Sequence, residues 1–152
     1  MDRPAAHPIF NAEQLAAFLT REFPQIGLGR IFSIEATGPM SARLRLHYRT
    51  DQLRPGGTIS GPTIFALADV ALYVAILAQI GGVKLALTTS LTINFLRKPP
   101  PGDLIGEARL LKLGKRLAVG EVTMFSAGSE EIVAHATGTY SIPPPGDESA
   151  VS

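Results

Sequence analysis

The chain has 152 residues with a formal net charge of +1, and 45% of them are hydrophobic against 18% charged. This length suits one domain, and the composition excludes wholesale disorder. The near-zero charge leaves no basic field for nucleic acid or a membrane surface, and the lack of cysteine excludes disulfides, a thiolate nucleophile and cysteine metal ligands.

The two ends of the chain are expected to be flexible tails. Residues 1–10 and 143–152 are rich in Pro, Ala, Ser and Gly, which leaves residues 11–142 as the single folded domain. The start shows no cationic stretch followed by an apolar run. We therefore expect no signal peptide and a cytoplasmic location.

The first predicted element is a short amphipathic helix over residues 11–23. Leu15, Phe18 and Leu19 recur at helical spacing after an Asn cap, and a proline follows. One face of this helix is therefore expected to pack on the core.

Alternating apolar and polar residues predict six strands with one dry face each. Two strands come first, at residues 32–37 and 42–49, and a glycine-rich loop follows at 50–61. Four more are predicted at residues 85–97, 103–113, 117–126 and 131–142. In the first of these four, one face is predicted to hold Leu85, Leu87, Thr89, Leu91, Ile93 and Phe95.

Between the two groups of strands, residues 62–82 predict a helix of about 19 residues that begins at Pro62 and stops at Gly81-Gly82. It is apolar on all sides, so it must be buried nearly all round. A membrane span is the alternative, but Asp69 near its middle would cost about 2.5–3.5 kcal/mol there. We expect an α+β protein in which an antiparallel sheet of about six strands wraps the long helix, the hot-dog fold.

Asp69 is the only charged residue between Arg54 and Lys84. A carboxylate in apolar surroundings must pair, protonate or face a cleft. The favoured interpretation is a catalytic carboxylate in an apolar cleft. A polar anchor inside an oligomer interface is the alternative.

Gly61 begins the same helix, where backbone N–H groups lack helical partners and suit an oxyanion. Pro62 has no N–H, so Gly61 and Thr63 are the expected donors, although Gly61 also suits a plain turn. Eight residues of helix rise about 12 Å, too far for one carbonyl to contact both Gly61 and Asp69 of one chain. The spacing therefore predicts at least a dimer with two composite sites.

The segment LRPGGTISGPTIFALADVALYVAILAQIG, followed by TTSLTINFLRKP, resembles the PaaI-like (phenylacetyl-CoA-type) branch of the hot-dog acyl-CoA thioesterases. The resemblance implies that Asp69 activates water or attacks the thioester, and that Gly61 is the oxyanion donor. Ser60 and Arg54 depart from it, since the family has histidine and often asparagine there. The resemblance also implies an acyl-CoA substrate, no separate cofactor, and a homodimer or homotetramer.

Other residues are expected near the substrate. Tyr73 lies one helical turn after Asp69 and either orients the water or acyl group or fills the core. The cationic pairs Arg97-Lys98 and Lys115-Arg116 are expected at the phosphates of coenzyme A, or are solvated turn charges. Ser60 is expected in the catalytic site, with a hydrogen bond to the thioester oxygen or sulfur, and Asn94 is expected at the pantetheine arm of coenzyme A or is a plain surface residue. Further substrate contacts are expected from Arg54, Thr63, Thr89 and Ser90.

His47 and His135 are isolated on strand faces, so no metal site is predicted. Three functions remain open. A thioester hydrolase is favoured, and an acyl-CoA-binding sensor or scaffold follows if the departures at positions 54 and 60 remove activity. A hydratase or dehydratase is the third, and it would want a histidine near the loop, where the sequence has none.

Overall fold

The computed structural model describes residues 8–83 and 85–144 and has two α-helices, two short 3₁₀ helices and eight strands there. Their bounds are α1 Ala12–Glu22, β1 Phe32–Gly38, β2 Ser41–Leu46, β3 Leu53–Arg54, β4 Thr58–Ile59, α2 Gly61–Ile80, β5 Leu87–Phe95, β6 Leu104–Leu113, β7 Leu117–Ser126 and β8 Ile132–Ser141. Six antiparallel strands form one sheet in the order β1-β2-β6-β7-β8-β5, and β3 pairs with β4. This architecture, with α2 in the core, confirms the predicted hot-dog fold.

The helix α1 forms where the cap and the periodicity predict it. The Asn11 side chain accepts a hydrogen bond from the Gln14 backbone N–H at 2.8 Å, and the Gln14 side chain accepts one from the Asn11 N–H at 3.0 Å. This reciprocal pair satisfies two N–H groups that the helix itself cannot use. Leu15 and Leu19 are fully buried, so α1 packs through its apolar face.

Glycines in the sheet let α2 pack closely against it. A Cβ atom added at Gly120 would lie 2.6 Å from Leu72 Cδ2, and one added at Gly138 would lie 2.8 Å from Leu72 Cδ1. A Cβ at Gly106 would approach Leu67 Cγ to 3.2 Å. The small residues of the late strands therefore make room for leucines of α2, because any larger residue there would push the helix away.

The helix α2 is long and apolar enough to cross a membrane by composition alone, but 61% of that apolar stretch is buried inside the fold. It is therefore the core helix. One side of α2 is left open, where Pro62, Phe65 and Ala66 are exposed and Asp69 is half-buried. Phe65 is 39% exposed, so this open side is apolar.

The edge strand β5 departs from the predicted alternation. A bulge between Thr88 and Ser90 shifts its register with β8, because the extra residue switches which side chains point to each face. Thr88 consequently reaches the Asp69 side chain of α2, whereas Leu87 is 65% exposed. Leu91 still packs on the core as predicted. The prediction of one continuous face is wrong at Leu87.

Several predicted boundaries also change, and the strand predicted at 85–97 is shorter, at Leu87–Phe95. Residues 47–49, predicted as the end of the second strand, leave the sheet because the Tyr48 N–H bonds the Asp103 carboxylate at 2.7 Å. The predicted loop over 50–61 contains a 3₁₀ turn, Thr50–Gln52, and the short β3–β4 hairpin.

The predicted N-terminal tail is described only from residue 8. There the backbone N–H groups of Ile9 and Phe10 bond the Ala78 carbonyl at 2.7 and 3.2 Å, which holds this part of the tail on α2. Residues 1–7, and 145–152 of the predicted C-terminal tail, lie outside the described residues.

Candidate active site

Asp69 lies at the open side of α2 and lines a cavity of about 230 Å³. Two hydroxyls donate to the same carboxylate oxygen: Tyr140 Oη lies 2.6 Å from Oδ1, and Thr88 Oγ1 lies 2.7 Å from it. Tyr140 Oη is also 2.8 Å from the backbone carbonyl oxygen of Asp69. Within residues 8–83 and 85–144, no hydrogen bond reaches Oδ2. The carboxylate therefore has one oxygen held by the protein and one available for chemistry.

Tyr140 is a neutral donor to this carboxylate. Burial raises the pKa of its hydroxyl far above the ordinary value, and the neighbouring charge of Asp69 raises it further. Tyr73 lines the same cavity, with its ring centroid 6.3 Å from that of Tyr140 and 5.9 Å from that of Phe23. The site thus places Tyr73 beside Asp69, as its helical spacing predicts.

Apolar surface continues from Asp69 along the open side of α2. A second cavity, of about 700 Å³, shares Phe23, Ile26 and Val70 with the Asp69 cavity and extends toward the start of α2. Its rim carries charged side chains, including Arg30. A volume of this size with a largely apolar lining is typical of a small-molecule pocket.

Ser60 is the N-cap of α2, and its hydroxyl lies 2.9 Å from Thr63 Oγ1 and 3.4 Å from the Thr63 backbone nitrogen. Of the two predicted oxyanion donors, Thr63 therefore already has a partner for its N–H. The Gly61 N–H makes no hydrogen bond within the part of the chain that the structure describes. It remains the available donor at the positive end of the helix.

Gly61 lines a different cavity, of about 400 Å³, together with Arg54, Arg97 and Lys98. The ring of Phe95 covers Gly61, since a Cβ added there would lie 3.4 Å from Phe95 Cζ. This cavity shares no lining residue with the Asp69 cavity. The described part of one chain thus presents the two halves of the predicted site separately.

The second cationic pair lies at the other end of the sheet. Lys115 is exposed in the β6–β7 hairpin, and Arg116 Nε donates to the Ile142 carbonyl at 3.0 Å. Ile142 follows Tyr140 by two residues along the chain, so this pair lies near the Asp69 end of the sheet. Arg97, in contrast, lies near Gly61.

The remaining predicted contacts lie along the exposed edge strand β5. Thr89, Ser90 and Asn94 are exposed, and Thr89 Oγ1 donates to the Thr139 carbonyl at 3.1 Å. The structure does not bring them to Asp69. The residue of β5 that contacts Asp69 is Thr88.

Sequence reasoning missed Thr88 and Tyr140. Alternation placed Thr88 on the opposite face of its strand, and no local motif connects Tyr140 to Asp69, 71 residues away. A usable signal exists, because a tyrosine on the dry face of a strand needs a partner for its hydroxyl. Asp69 is the only charged residue of α2 that could provide one.

The two histidines singled out above have ordinary partners. His47 Nε2 lies 2.5 Å from Ser33 Oγ, and His135 Nε2 lies 3.0 Å from Glu121 Oε1. Among the described residues, no group of three or more His, Cys, Asp or Glu is placed to hold a metal ion.

Comparisons with known proteins agree with this architecture. The family model of the Thioesterase superfamily matches residues 56–133. A protein of Saccharolobus solfataricus, described as a candidate esterase, is 31% identical over 132 residues, which cover 87% of this chain and 79% of that protein.

Solved structures give the same result. A candidate thioesterase from Silicibacter sp. TM1040 is 49% identical with a TM-score of 0.81, covering 90% of this chain and 94% of that one. A mutant of the phenylacetic acid degradation protein PaaI from Thermus thermophilus is 27% identical with a TM-score of 0.65, covering 74% and 93%. The resemblance to the PaaI-like branch is confirmed, and the chain belongs to the thioesterase superfamily as a hot-dog thioester hydrolase.

Proposed function

We propose that this protein hydrolyses acyl-CoA thioesters to the free acid and CoA, with Asp69 of one protomer and Gly61 of the partner subunit acting on one substrate. The observation that carries the proposal is the state of the Asp69 carboxylate. Oδ1 is held by two hydroxyls, and Oδ2 has no hydrogen bond from the described residues while the side chain lines an apolar cavity. Such a group is oriented for reaction and is not saturated by structural contacts.

The chemistry needs few groups. The Gly61 N–H binds the thioester carbonyl oxygen and stabilises the oxyanion that forms there. Oδ2 of Asp69 either takes a proton from the attacking water or attacks the carbonyl itself to form an anhydride that water then opens. In both routes a C–O bond forms, the C–S bond breaks, and the CoA thiolate leaves and is protonated.

The geometry of α2 supports assembly of this site across a dimer. Gly61, Phe65 and Asp69 recur every four residues, so they lie on adjoining turns of one helix side. If two α2 helices pack antiparallel about a two-fold axis at Phe65, position 61 faces position 69 of the other helix, because each is four residues from the axis. The exposed Phe65 ring is the apolar contact that such packing buries.

The unpaired edge of β5 supports the same assembly, since an exposed strand edge offers backbone groups to a second copy. Thr89, Ser90 and Asn94 lie on this edge and are proposed substrate contacts only across the dimer. Whether two dimers join into a tetramer depends on other faces.

Cations are placed to bind the phosphates of coenzyme A. Arg54 and Lys98 line the Gly61 cavity and make no ion pair with described residues, whereas Arg97 pairs with Glu131 at 3.1 Å. Phosphate oxygens bind such side chains strongly. This polar end favours CoA esters over uncharged thioesters.

Thiol release from a panel of acyl-CoAs tests the activity, and Asp69→Asn tests the carboxylate. We expect the variant to lose about 100-fold or more in kcat. The matched control is Glu130→Gln in the exposed β7–β8 turn, which removes a carboxylate elsewhere and should keep full turnover. Unchanged hydrolysis by Asp69→Asn would remove the carboxylate from the mechanism.

A non-catalytic acyl-CoA-binding protein is the second candidate, because Ser60 is the helix cap and no histidine stands in its place. Calorimetry with the same acyl-CoAs separates the two functions. Binding without thiol release from any ester would favour the second.

The composite site has its own test. Asp69→Asn and Gly61→Pro subunits, each inactive alone, are unfolded together and refolded as a mixture. Random pairing makes about half of the dimers mixed, each with one intact site, so activity should return to roughly a quarter of wild type. If the mixture is shown to contain mixed dimers and its activity does not recover, sites shared between subunits are excluded.

A further inference from the structure

We propose that Tyr140 is a positioning residue for the reaction: its hydroxyl fixes the orientation of the Asp69 carboxylate so that Oδ2 is the reacting oxygen. The inference rests on the proposed function of Asp69. It adds a residue from the far end of the chain that touches Asp69 directly.

The position of the Tyr140 hydroxyl is set by the sheet. Tyr140 is 3% exposed, and β8 holds it between Ala118 of β7 and Thr88 of β5. Its ring also packs beside Tyr73 of α2. With neighbours on both strands and on the helix, the hydroxyl has little freedom to move, so it is a fixed reference for Asp69.

The single O–H of Tyr140 lies within hydrogen-bond distance of both the side chain and the backbone of Asp69. Tyr140 Oη lies 2.6 Å from Oδ1 and 2.8 Å from the backbone carbonyl oxygen, so one hydroxyl spans the carboxylate and the helix. Thr88 adds a second donor to Oδ1 at 2.7 Å. Two donors on one oxygen define the plane of the carboxylate, because rotation about the Cβ–Cγ bond would break both.

This arrangement leaves Oδ2 in one orientation. A reacting group misplaced by about 1 Å costs about 100-fold in rate, so holding the plane matters even though Tyr140 does not touch the substrate. The neutral Tyr140 hydroxyl suits the role because it donates without taking the proton that Asp69 must handle.

Tyr140→Phe removes the hydroxyl and keeps the ring. We expect kcat to fall about 10- to 100-fold while KM changes less than about 2-fold, because an interaction that matters only in the transition state lowers kcat and kcat/KM equally. Thr88→Val should also lower kcat, and Thr88→Ser, which keeps the hydroxyl, should restore it. Tyr48→Phe removes a tyrosine hydroxyl outside the site and should keep full turnover.

The outcomes separate this inference from the proposed function. If the wild type releases no thiol from any acyl-CoA, or Asp69→Asn is fully active, the proposed function fails and the positioning role fails with it. If Asp69→Asn is inactive but Tyr140→Phe keeps the wild-type kcat, only the positioning role is overturned. A Tyr140→Phe variant with unchanged kcat but a raised KM would also overturn it, since that result indicates substrate binding. The positioning role is supported if Tyr140→Phe is folded and has a low kcat with an unchanged KM. It also requires that Thr88→Ser keeps the wild-type kcat while Thr88→Val lowers it.

Discussion

Replacing Gly61 by proline tests the oxyanion donor directly, because it removes the N–H, and an alanine control accounts for the Cβ that it adds. This N–H donates no hydrogen bond to the described residues, so the fold loses no hydrogen bond when it is removed. Gly61 is the first residue of α2, where proline is well tolerated. Ser60, with φ −71° and ψ 152°, already has the extended conformation that a residue before proline prefers.

The expected loss follows from the role of the donor. Removing one oxyanion-hole hydrogen bond lowers kcat about 10²- to 10³-fold, or about 2.7–4 kcal/mol. Gly61→Ala is the matched control, because it adds the same Cβ beside Phe95 and before Pro62 but keeps the N–H. The Cβ would lie 3.4 Å from the exposed Phe95 ring, so the alanine variant should keep most of its activity.

Thiol release at saturating acyl-CoA measures kcat for both variants, and thermal unfolding shows that both are folded. We expect the melting temperatures to agree within about 4 °C, since proline at a compatible site changes stability by less than about 1 kcal/mol. Equal kcat values for the proline and alanine variants, with both folded, would show that the Gly61 N–H does not stabilise the oxyanion.

The remaining predictions concern packing, pH, substrate and assembly. Gly120→Ala should destabilise the fold by about 1–3 kcal/mol in denaturant unfolding, because its Cβ would lie 2.6 Å from Leu72 Cδ2. In a Leu72→Val background the same glycine substitution should cost less, and purely additive losses would refute the close contact. Hydrogen bonds from two arginines of β2, and then their charges, hold the pKa of Glu35 below its ordinary value of 4.5, so the stability that they give is present above pH 4.5 and is lost as the pH falls through the lowered value. Glu35→Gln should therefore flatten the acid side of a plot of melting temperature against pH. An unchanged slope would contradict this. Arg116→Glu should raise KM for CoA esters in steady-state kinetics, more strongly at low salt. An unchanged KM would show that Arg116 does not bind the substrate. Phe65→Glu should give inactive monomers by sedimentation and thiol release, and a fully active monomer would refute the composite site.

The fold was predictable because its main signals are local. An apolar helix with no polar face must lie in a core, and strands with one dry face must cover it, so α2 and the six-stranded sheet follow from periodicity alone. Small residues inside the late strands, such as Gly120 and Gly138, are consistent with strong curvature or with close approach of a neighbouring element, and the structure shows α2 close to both glycines.

The site was only half predictable, because its support comes from tertiary register. Asp69 was evident as a charge in an apolar helix. Thr88 reaches it only because a bulge shifts β5 against β8, and alternation cannot predict a bulge. Tyr140 reaches it only because β8 lies beside β5, although these strands are separated in sequence by β6 and β7. Pairings of this kind depend on the sheet order, which no short motif encodes.

In the proposed dimer, the spacing within α2 makes one residue the reference point for both composite sites. Phe65 is four residues from Gly61 and four from Asp69, so a two-fold axis at Phe65 aligns both composite sites at once. Moving one helix along the other by a single turn shifts the alignment by about four residues and places Gly61 opposite Phe65 or Tyr73 of the partner subunit. The proposed activity therefore requires one register of the helix pair. In the proposed dimer, the exposed Phe65 ring at the axis is the group that would fix this register by packing against its own copy.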